Sequence, residues 1–239
     1  MTEFFPFPHT PHLVWLGAEK TRSDKILSEP EKKDLLAHEL VVEEKIDGAN
    51  LGFSINLEGT LRIQNRGQHL APPYVGQFKK LSNWLSSHEG LLFDSLDENL
   101  IVFGEWCAAR HSLHYTALPD WWILFDVYDK RAGCFFSTVQ RNIWAEKANV
   151  SVIHQIAKKR FDLNMLEDHL LNAPSFYRQG SLEGIILRNE NELWLTNRAK
   201  LVRPEFTQAI EEHWSRNSIK WNQLQITSYP GVPTEKGSS

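Results

Sequence analysis

The spacing of hydrophobic and polar positions predicts a strand-rich first half of the chain. Apolar residues alternate with smaller or polar residues over 51–57 and again over 61–65, and this period of two is typical of strands. Glu58-Gly59 between these segments predicts a hairpin turn. Short, dense apolar runs at 101–103 and 121–128 predict two buried strands.

Other segments have the spacing or the composition of helices. Phe78, Leu81 and Leu85 recur at helical spacing within 74–87. Ser137-Thr138-Val139-Gln140 has the form of a capping box and predicts a helix that continues to Ala148. Three further helices are predicted at 31–40, 164–171 and 207–216.

The last strands complete the predicted fold. Segments 182–187 and 192–195 predict two strands that are joined by a polar turn at 188–191. The sequence contains no internal repeat and no linker long enough to separate two domains. We therefore expect one α+β domain over 1–239, with mostly antiparallel sheets, flanking helices and a loose Gly/Pro/Ser-rich tail at 230–239.

Composition narrows the functional classes only slightly. A net charge of −4 argues against a protein that coats nucleic acid through bulk positive charge. The nine Trp and thirteen Phe residues indicate either a well-filled core or rings that stack on bases. No apolar run approaches the ~20 residues of a membrane span, and the N-terminus lacks a signal peptide. Cys107 and Cys134 lack metal-type spacing, so we expect free thiols and a cytoplasmic location.

Lys45 is the first candidate for chemistry. It ends the run that contains Val41-Val42 and precedes Asp47-Gly48, so the sheet could fix it and partly remove it from water. Desolvation and nearby cations would lower the pKa of this lysine and leave the neutral amine that a nucleophile needs. Gly48 would permit a tight turn or a close backbone approach to a ligand. The alternative is a surface hairpin, because Lys-x-Asp-Gly is also a common turn sequence.

Five further motifs follow Lys45-Ile46-Asp47-Gly48 in order. With that tetrapeptide they resemble the motifs of the covalent nucleotidyltransferases, which comprise ATP-dependent DNA and RNA ligases and mRNA-capping guanylyltransferases. The five motifs are Asn65-Arg66-Gly67, Phe103-Gly104-Glu105, Phe125-Asp126-Val127-Tyr128-Asp129, Glu183-Gly184-Ile185-Ile186-Leu187 and Arg198-Ala199-Lys200.

The resemblance implies a fold and a role for single residues. The fold would be that of the ligase adenylation domain, which is ATP-grasp-like. The catalytic residues would be Lys45, Asp47, Arg66, Glu183 and Lys200. The nucleotide would be bound by Glu44, Lys45, Asn50, Arg66, Glu105, Phe125, Glu183, Arg198 and Lys200. A divalent ion, Mg²⁺ or Mn²⁺, would lie near Glu183, with Asp47 as the second carboxylate. Phe125 would stack on the base, or it is simply a core residue.

Within these enzymes the sequence is most similar to the RNA ligases. Asn50 follows the lysine motif where DNA ligases usually carry an arginine, and 104–106, 111–115 and 8–13 also look like the bacterial and phage RNA ligase family. The resemblance implies a three-step reaction. ATP would form lysyl-AMP on the lysine, AMP would pass to an RNA 5′-phosphate, and a 3′-hydroxyl would then displace AMP. A DNA ligase, a capping-type guanylyltransferase and a non-catalytic binding module are the alternatives.

Two departures from the family pattern affect the prediction. The basic motif is Arg198-Ala199-Lys200 instead of Lys-x-Lys, so the second phosphate-binding cation is open, and Arg203 is another candidate. Only 36 residues follow Arg203, which is too few for the C-terminal domain of most ligases. How the RNA is held is therefore left open by the sequence, and the two candidates are the modestly basic region 196–220 and an accessory protein. His111 and His114 have no metal-type spacing and are expected to contact substrate at most.

Overall fold

The structure is a computed structural model that describes residues 4–17, 25–208 and 218–225. These residues form two antiparallel sheets with helices packed on them, which confirms the predicted α+β class. The ten strands are β1 (Glu39–Lys45), β2 (Ala49–Ile55), β3 (Leu61–Gln64), β4 (His69–Leu70), β5 (Leu100–Trp106), β6 (Trp122–Asp129), β7 (Cys134–Phe135), β8 (Gln155–Arg160), β9 (Gly184–Glu190) and β10 (Leu195–Val202). The helices are α1 (Glu29–Leu36), α2 (Leu81–Ser95), α3 (Thr138–Ala148), α4 (Leu163–Asn172) and α5 (Pro204–Gln208), and a short 3₁₀ helix covers Gly76–Phe78.

The position of Lys45 is set by one of the segments in which the chain passes from one sheet to the other. The smaller sheet has the order β10-β9-β1-β8, and the larger has the order β4-β3-β2-β5-β6-β7. All their neighbouring strands pair antiparallel. β1 belongs to the smaller sheet and β2 to the larger, so the chain crosses between them at residues 46–48. Lys45, the last residue of β1, therefore lies at the cleft between the sheets.

Each sheet has a hydrophobic core on its outer face. The larger sheet packs against α2 and α3 through a cluster that includes Phe53, Trp84 and Trp122, and the Phe53 and Trp84 rings are stacked with centroids 5.6 Å apart. The smaller sheet packs against α1 and α4 through a second cluster that includes Leu35 and Leu166. The inner faces border the cleft and are more polar, although Ile101 and Phe103 of the larger sheet form a smaller apolar cluster with Phe7 there.

Much of the predicted secondary structure is confirmed. The hairpin of β2 and β3 and the strands β5 and β6 lie where the apolar patterns predict them. α3 begins after Ser137, whose hydroxyl accepts the N–H of Gln140 at 3.3 Å and caps the helix. α4 extends the predicted 164–171 by one residue at each end. Cys107 and Cys134 are free thiols.

Several boundaries were predicted wrongly, and one strand was not predicted. The first helix ends at Leu36, because Leu40 is already buried in β1, and the helix predicted from residue 74 begins only at Leu81. The turn predicted at 188–191 lies at 191–194 instead, where Asn191 Oδ1 accepts the N–H groups of Leu193 and Trp194 at 2.9 and 2.8 Å. The edge strand β8 is absent from the sequence prediction because its residues are mostly polar.

Some predictions concern residues that the structure describes only in part. Of the helix predicted at 207–216, α5 covers the beginning, and 209–217 lie outside the described residues, as does the tail at 230–239. In the described ranges, no helix is long and apolar enough to cross a membrane.

Candidate active site

A cavity of about 160 Å³ lies between the inner faces of the two sheets, and we call it the inter-sheet cavity. Residues from β1, β2, β5, β6, β9, β10 and the N-terminal segment line it. Eight lining residues were predicted from the sequence, namely Glu44, Lys45, Asn50, Arg66, Glu105, Phe125, Arg198 and Lys200. The predicted residues Asp47 and Glu183 do not line the cavity, but both lie next to Lys45 and act on it electrostatically.

The amine of Lys45 is held by a carboxylate. β1 pairs with β9 so that Lys45 is opposite Gly184, and its Nζ donates a hydrogen bond to Glu183 Oε1 at 2.6 Å. Burial lowers the pKa of Lys45, but Glu183, Asp47 and Glu105 together outweigh burial and raise it above its ordinary value. The expectation of a lowered pKa was therefore wrong for this state, because carboxylates and not cations surround the amine.

The turn after Lys45 is tied to the larger sheet. Gly48 donates its N–H to Glu105 Oε1 at 2.9 Å, and a Cβ on this glycine would lie only 2.4 Å from the Trp106 carbonyl oxygen. Asp47 donates its N–H to the Tyr115 hydroxyl at 2.9 Å. These contacts fix the turn, and the turn fixes the position of Lys45 at the end of β1. The close approach at Gly48 is to the backbone of β5, and an approach of this glycine to a ligand stays a prediction.

The carboxylate of Asp47 is hydrogen bonded to the neighbouring loop. Its Oδ2 accepts the N–H of Ser112 at 3.0 Å and the hydroxyl of Ser112 at 2.5 Å. His111 Nδ1 is 4.0 Å from Asp47 Oδ1, and the other ring nitrogen of His111 is 2.8 Å from Gln77 Oε1. Burial lowers the pKa of His111, which favours the neutral ring. These contacts give Asp47 and His111 a structural role in the described state.

Negative charge exceeds positive charge immediately around Lys45. Burial raises the pKa of Glu105 to about 7, and burial also raises the pKa of Glu183. Within the described residues, Glu183 Oε2 and Asn50 Oδ1 are buried without a hydrogen-bond partner. Buried polar atoms are usually paired, so these two oxygens are suited to accept a ligand with hydrogen-bond donors or positive charge.

These oxygens fit a divalent cation that shares its ligands with a substrate. In the parts of the chain that the structure describes, no group of three or more His, Cys, Asp or Glu side chains has the geometry of a metal site. Mg²⁺ is commonly bound by one or two carboxylates together with phosphate oxygens and water. The free oxygen of Glu183 meets that requirement, whereas Asp47 already accepts two hydrogen bonds from Ser112.

Aromatic rings form one wall of the inter-sheet cavity. Phe125 of β6 lines it, and its ring packs edge-on against Phe7, with centroids 5.0 Å apart. Phe7 belongs to the N-terminal segment, which is attached to β10 through the bond from Lys200 N–H to the Pro11 carbonyl at 2.8 Å. Sequence reasoning assigned no role to Phe7, although the motif at 8–13 follows it directly.

The two cations of the basic motif have different surroundings. Arg198 donates to Asp126, and its guanidinium lies 4.4 Å from the centroid of Phe7 and 4.6 Å from that of Phe135. Burial lowers the pKa of Arg198, and Asp126 opposes this effect. Lys200 lines the cavity two residues further along β10 and acts electrostatically on Glu183. Lys200 therefore acts on the carboxylate that holds Lys45, whereas Arg198 is engaged with Asp126.

Two other predicted residues, Glu44 and Arg66, lie at the border of the inter-sheet cavity. The Glu44 carboxylate accepts the Ser175 hydroxyl at 2.5 Å and the Phe176 N–H at 2.8 Å, and burial raises its pKa. Glu44 therefore supports a loop and borders the cavity at the same time. Arg66 is exposed at the rim and forms no ion pair with the described residues. It is available for a phosphate.

Of three further residues, two do not line the inter-sheet cavity and the third is outside the described residues. Arg203 binds Glu205 at 2.6 Å and the Leu171 carbonyl at 3.0 Å, and it does not line the inter-sheet cavity. Cys107 is buried, and burial raises the pKa of its thiol, which fits a small core residue. Arg216 of the modestly basic region lies outside the described residues.

Sequence reasoning missed a buried ionic network that forms the floor of the inter-sheet cavity. Arg188 of β9 binds Asp126 at 2.8 Å and lies 3.8 Å from Glu43, and Arg141 of α3 binds Glu43 at 2.7 Å. All four side chains are at most 2% exposed. Asp126 belongs to a motif that the sequence revealed, but the partners come from distant segments, so no local pattern identifies the network.

Two antiparallel sheets with a lysine in the cleft between them constitute the nucleotidyltransferase fold. The chain belongs to the RNA ligase family, because the family model described as RNA ligase matches residues 38–202, more than half of the chain. No curated protein matches it in sequence.

Solved structures of the Naegleria gruberi RNA ligase share this fold. The complex with PPi has a TM-score of 0.60 at 15% identity over 86% of this chain and 63% of that chain. A variant with ATP and Mn has a TM-score of 0.60 at 17% identity over 86% of this chain and 64% of that chain. Another variant, with AMP and Mn, has a TM-score of 0.55 at 16% identity over 73% and 52%. The chain thus spans about half to two thirds of the length of these structures.

Proposed function

We propose that the protein is an ATP-dependent RNA ligase that carries AMP covalently on Lys45. The observation that carries the proposal is the position of this amine at the inter-sheet cavity, 2.6 Å from Glu183, in a chain of the RNA ligase family. The fold neighbours with ATP and Mn, with AMP and Mn and with PPi support ATP as donor, a divalent ion as cofactor and pyrophosphate as product.

The cavity offers a place for each part of the nucleotide. Phe125 offers an aromatic face for the base, and Glu105, beside the turn at Gly48, can accept a ribose hydroxyl. Asn50 has a buried oxygen that needs a donor. Lys200 and Arg66 supply positive charge for the phosphates at the wall and at the rim. Arg198 has its guanidinium engaged with Asp126, so we assign it to positioning this wall.

The first step requires a neutral amine at Lys45. The Nζ atom forms a bond to the α-phosphorus of ATP, the bond from that phosphorus to the bridging oxygen breaks, and pyrophosphate leaves with the bonding electrons. Glu183 accepts a hydrogen bond from Nζ and orients it, and the proton of Nζ leaves to solvent when the amine becomes neutral. A divalent cation bound at the free Glu183 oxygen and the phosphates would neutralise charge on the leaving group.

The later steps return the lysine to its free form. An oxygen of the RNA 5′-phosphate attacks the α-phosphorus of lysyl-AMP, the bond to Nζ breaks, and the amine regains its proton. A 3′-hydroxyl then attacks the activated 5′-phosphate and AMP leaves, which forms the phosphodiester bond. Such sealing of broken strands would serve RNA repair, and the free thiols of Cys107 and Cys134 agree with a cytoplasmic enzyme.

Covalent labelling tests the proposal. We expect incubation with α-labelled ATP and Mg²⁺ or Mn²⁺ to label the protein, and Lys45→Ala and Lys45→Arg to abolish the label. Lys158→Ala is a control, since Lys158 lies on the exposed edge strand β8 and should leave labelling unchanged. A parallel reaction with GTP separates a ligase from a guanylyltransferase. A wild-type chain that binds ATP without releasing pyrophosphate would instead be a binding module, and the proposal would be wrong.

A further inference from the structure

A second cavity of about 440 Å³ lies under the N-terminal segment and takes no part in the chemistry proposed above. Phe4, Phe5 and Pro6 form its N-terminal wall, and we call it the Phe5 cavity. The next residues of the same segment, Phe7 and His9, line the inter-sheet cavity. One short stretch of chain therefore separates the two cavities.

Strand pairing shows that both cavities lie on the same face of the larger sheet. Arg62 is paired with Ser54, Ser54 with Ile101, and Ile101 with Tyr128, so these four residues form a row across β3, β2, β5 and β6. Directly paired residues point to the same face, and all four line the Phe5 cavity. The row crosses three strand spacings, or about 14 Å.

The inter-sheet cavity uses another row of this face. Asn50 is paired with Glu105 four residues before Ser54 on β2, and four residues of strand span about 14 Å. The row between them contains Gly52 and Phe103, which is covered by the ring of Phe7 with centroids 5.1 Å apart. A flexible chain of a few nucleotides could span this distance, since each nucleotide of a stacked strand advances about 3.4 Å along the strand.

Aromatic rings are prominent in the Phe5 cavity. Phe5 stacks on Tyr128 with centroids 4.1 Å apart and an interplanar angle of 13°, and Phe4 packs edge-on against His69 with centroids 5.2 Å apart. His69 belongs to β4 and Tyr128 to β6, so the two pairs come from opposite sides of the cavity. The outer faces of such rings, on two sides of the cavity, are suited to stacking with a planar ligand such as a base.

The charges that line the Phe5 cavity are positive. Arg62 and Lys130 contribute cations from its two sides, and the described residues include no carboxylate in the lining. Asp97 and Glu98 act on Lys130 electrostatically but do not line the cavity. Cations combined with aromatic rings are what proteins use to bind single-stranded nucleic acid, through phosphate contacts and base stacking.

We propose that the Phe5 cavity binds an unpaired nucleotide of the RNA strand whose end is joined at Lys45. The inference rests on the proposed function for the identity of the polynucleotide. The bases of a duplex are stacked on one another and cannot stack on protein rings. The site would therefore select RNA that is single-stranded near the end to be joined. Arg62 and Lys130 would each contact one phosphate, and the rings would hold the base.

Fluorescence anisotropy with a short, 5′-phosphorylated, single-stranded oligoribonucleotide tests the site on the full chain. Arg62→Ala and Lys130→Ala should each weaken binding about five-fold and reduce the slope of log K against log salt by about 0.7 per lost phosphate contact. Arg131→Ala is the matched control, because Arg131 neighbours Lys130, is exposed and does not line the cavity. It should change neither value. Equal affinity of the three variants would overturn the proposal.

Crosslinking gives a readout that does not depend on variants. The same oligoribonucleotide with a photoreactive 4-thiouridine should attach to peptides from 4–9 or 122–130 of the wild-type chain. Attachment only to other peptides, or a blunt RNA duplex that binds as tightly as the single strand, would contradict the site. Labelling of the wild-type chain by ATP is measured separately, so failure of the ligase proposal and failure of the RNA site give different results.

Discussion

The charge of Lys45 is maintained at a position where burial alone would remove it. Burial favours a neutral amine, whereas Glu183, Asp47 and Glu105 favour the ammonium and dominate. The resting chain therefore holds its candidate nucleophile in the unreactive form. Activation requires a change in the balance of charge, which the proposed cation at the free oxygen of Glu183 would supply. The excess of buried carboxylates around Lys45 also affects the titration of Glu105, which can be measured without substrate.

Glu105 should make the fold less stable as the pH rises. Burial raises its pKa from 4.5 to about 7, so between these pH values the folded chain binds a proton that the unfolded chain has lost. The free energy of unfolding then falls with rising pH, by at most about 1.4 kcal/mol per pH unit from this group. We expect Glu105→Gln to flatten the decline, because glutamine does not titrate and its oxygen can still accept the Gly48 N–H.

Chemical denaturation of both proteins between pH 4.5 and pH 7 measures this effect. Glu39→Gln serves as a control, since Glu39 is exposed and lies 3.8 Å from Lys158 at the surface. It should leave the slope as in the wild type. A Glu105→Gln variant whose stability falls as steeply as that of the wild type would show that Glu105 does not carry the raised pKa.

At the level of elements, the turn between β1 and β2 joins the two sheets and places the lysine. Its tight geometry depends on Gly48, because a Cβ there would lie 2.4 Å from the Trp106 carbonyl oxygen and 3.2 Å from Cys107 Sγ. Backbone atoms of a central strand cannot move aside easily. Any side chain at this position must therefore move the turn, and Lys45 with it.

Gly48→Ala should reduce both stability and lysyl labelling. We expect a loss of about 1–3 kcal/mol from overpacking and a labelling rate at least ten-fold lower. Gly90→Ala is the matched control, because a Cβ on this glycine of α2 meets no atom within 4 Å, and alanine should stabilise the helix slightly. Thermal unfolding and the ATP labelling assay measure the two effects. Normal labelling by Gly48→Ala would show that the turn does not position the amine.

The elements also show where sequence reasoning succeeds and where it fails. The hairpin of β2 and β3 and the cap of α3 were predictable because their signals are local, an alternating pattern in one case and Ser137 in the other. β9 was cut short because the polar side chain of Arg188 resembles a turn residue, although it is buried against Asp126. Such a residue is recognisable only when its partner from a distant strand is known.

The same limit applies to the candidate site. The ordered motifs predicted eight residues that line the inter-sheet cavity, because the spacing of motifs along the chain reflects which strands meet. They could not reveal that Arg198 is engaged by Asp126 or that three carboxylates surround Lys45. Those facts depend on side-chain packing between sheets, which no pattern within one segment encodes.

On the scale of the whole molecule, charge is distributed so that a net negative chain can bind anions. The net charge is −4, yet cations line both cavities, with Lys200 and Arg66 at the inter-sheet cavity and Arg62 and Lys130 at the Phe5 cavity. Local fields near such clusters attract phosphates although the whole chain is acidic. The covalent step should change the net charge of the protein by a whole number of charges.

Formation of lysyl-AMP should make the protein more acidic by two charges. The ammonium of Lys45 is lost and one phosphate charge is gained, so the formal net charge at pH 7 changes from −4 to −6. Isoelectric focusing after reaction with ATP and a divalent cation should therefore resolve a second, more acidic band. Its formation should require Lys45, and excess pyrophosphate should reverse it by regenerating ATP. Bound but unreacted ATP would be lost on denaturing focusing, so an acidic band that disappears under denaturing conditions would contradict a covalent intermediate.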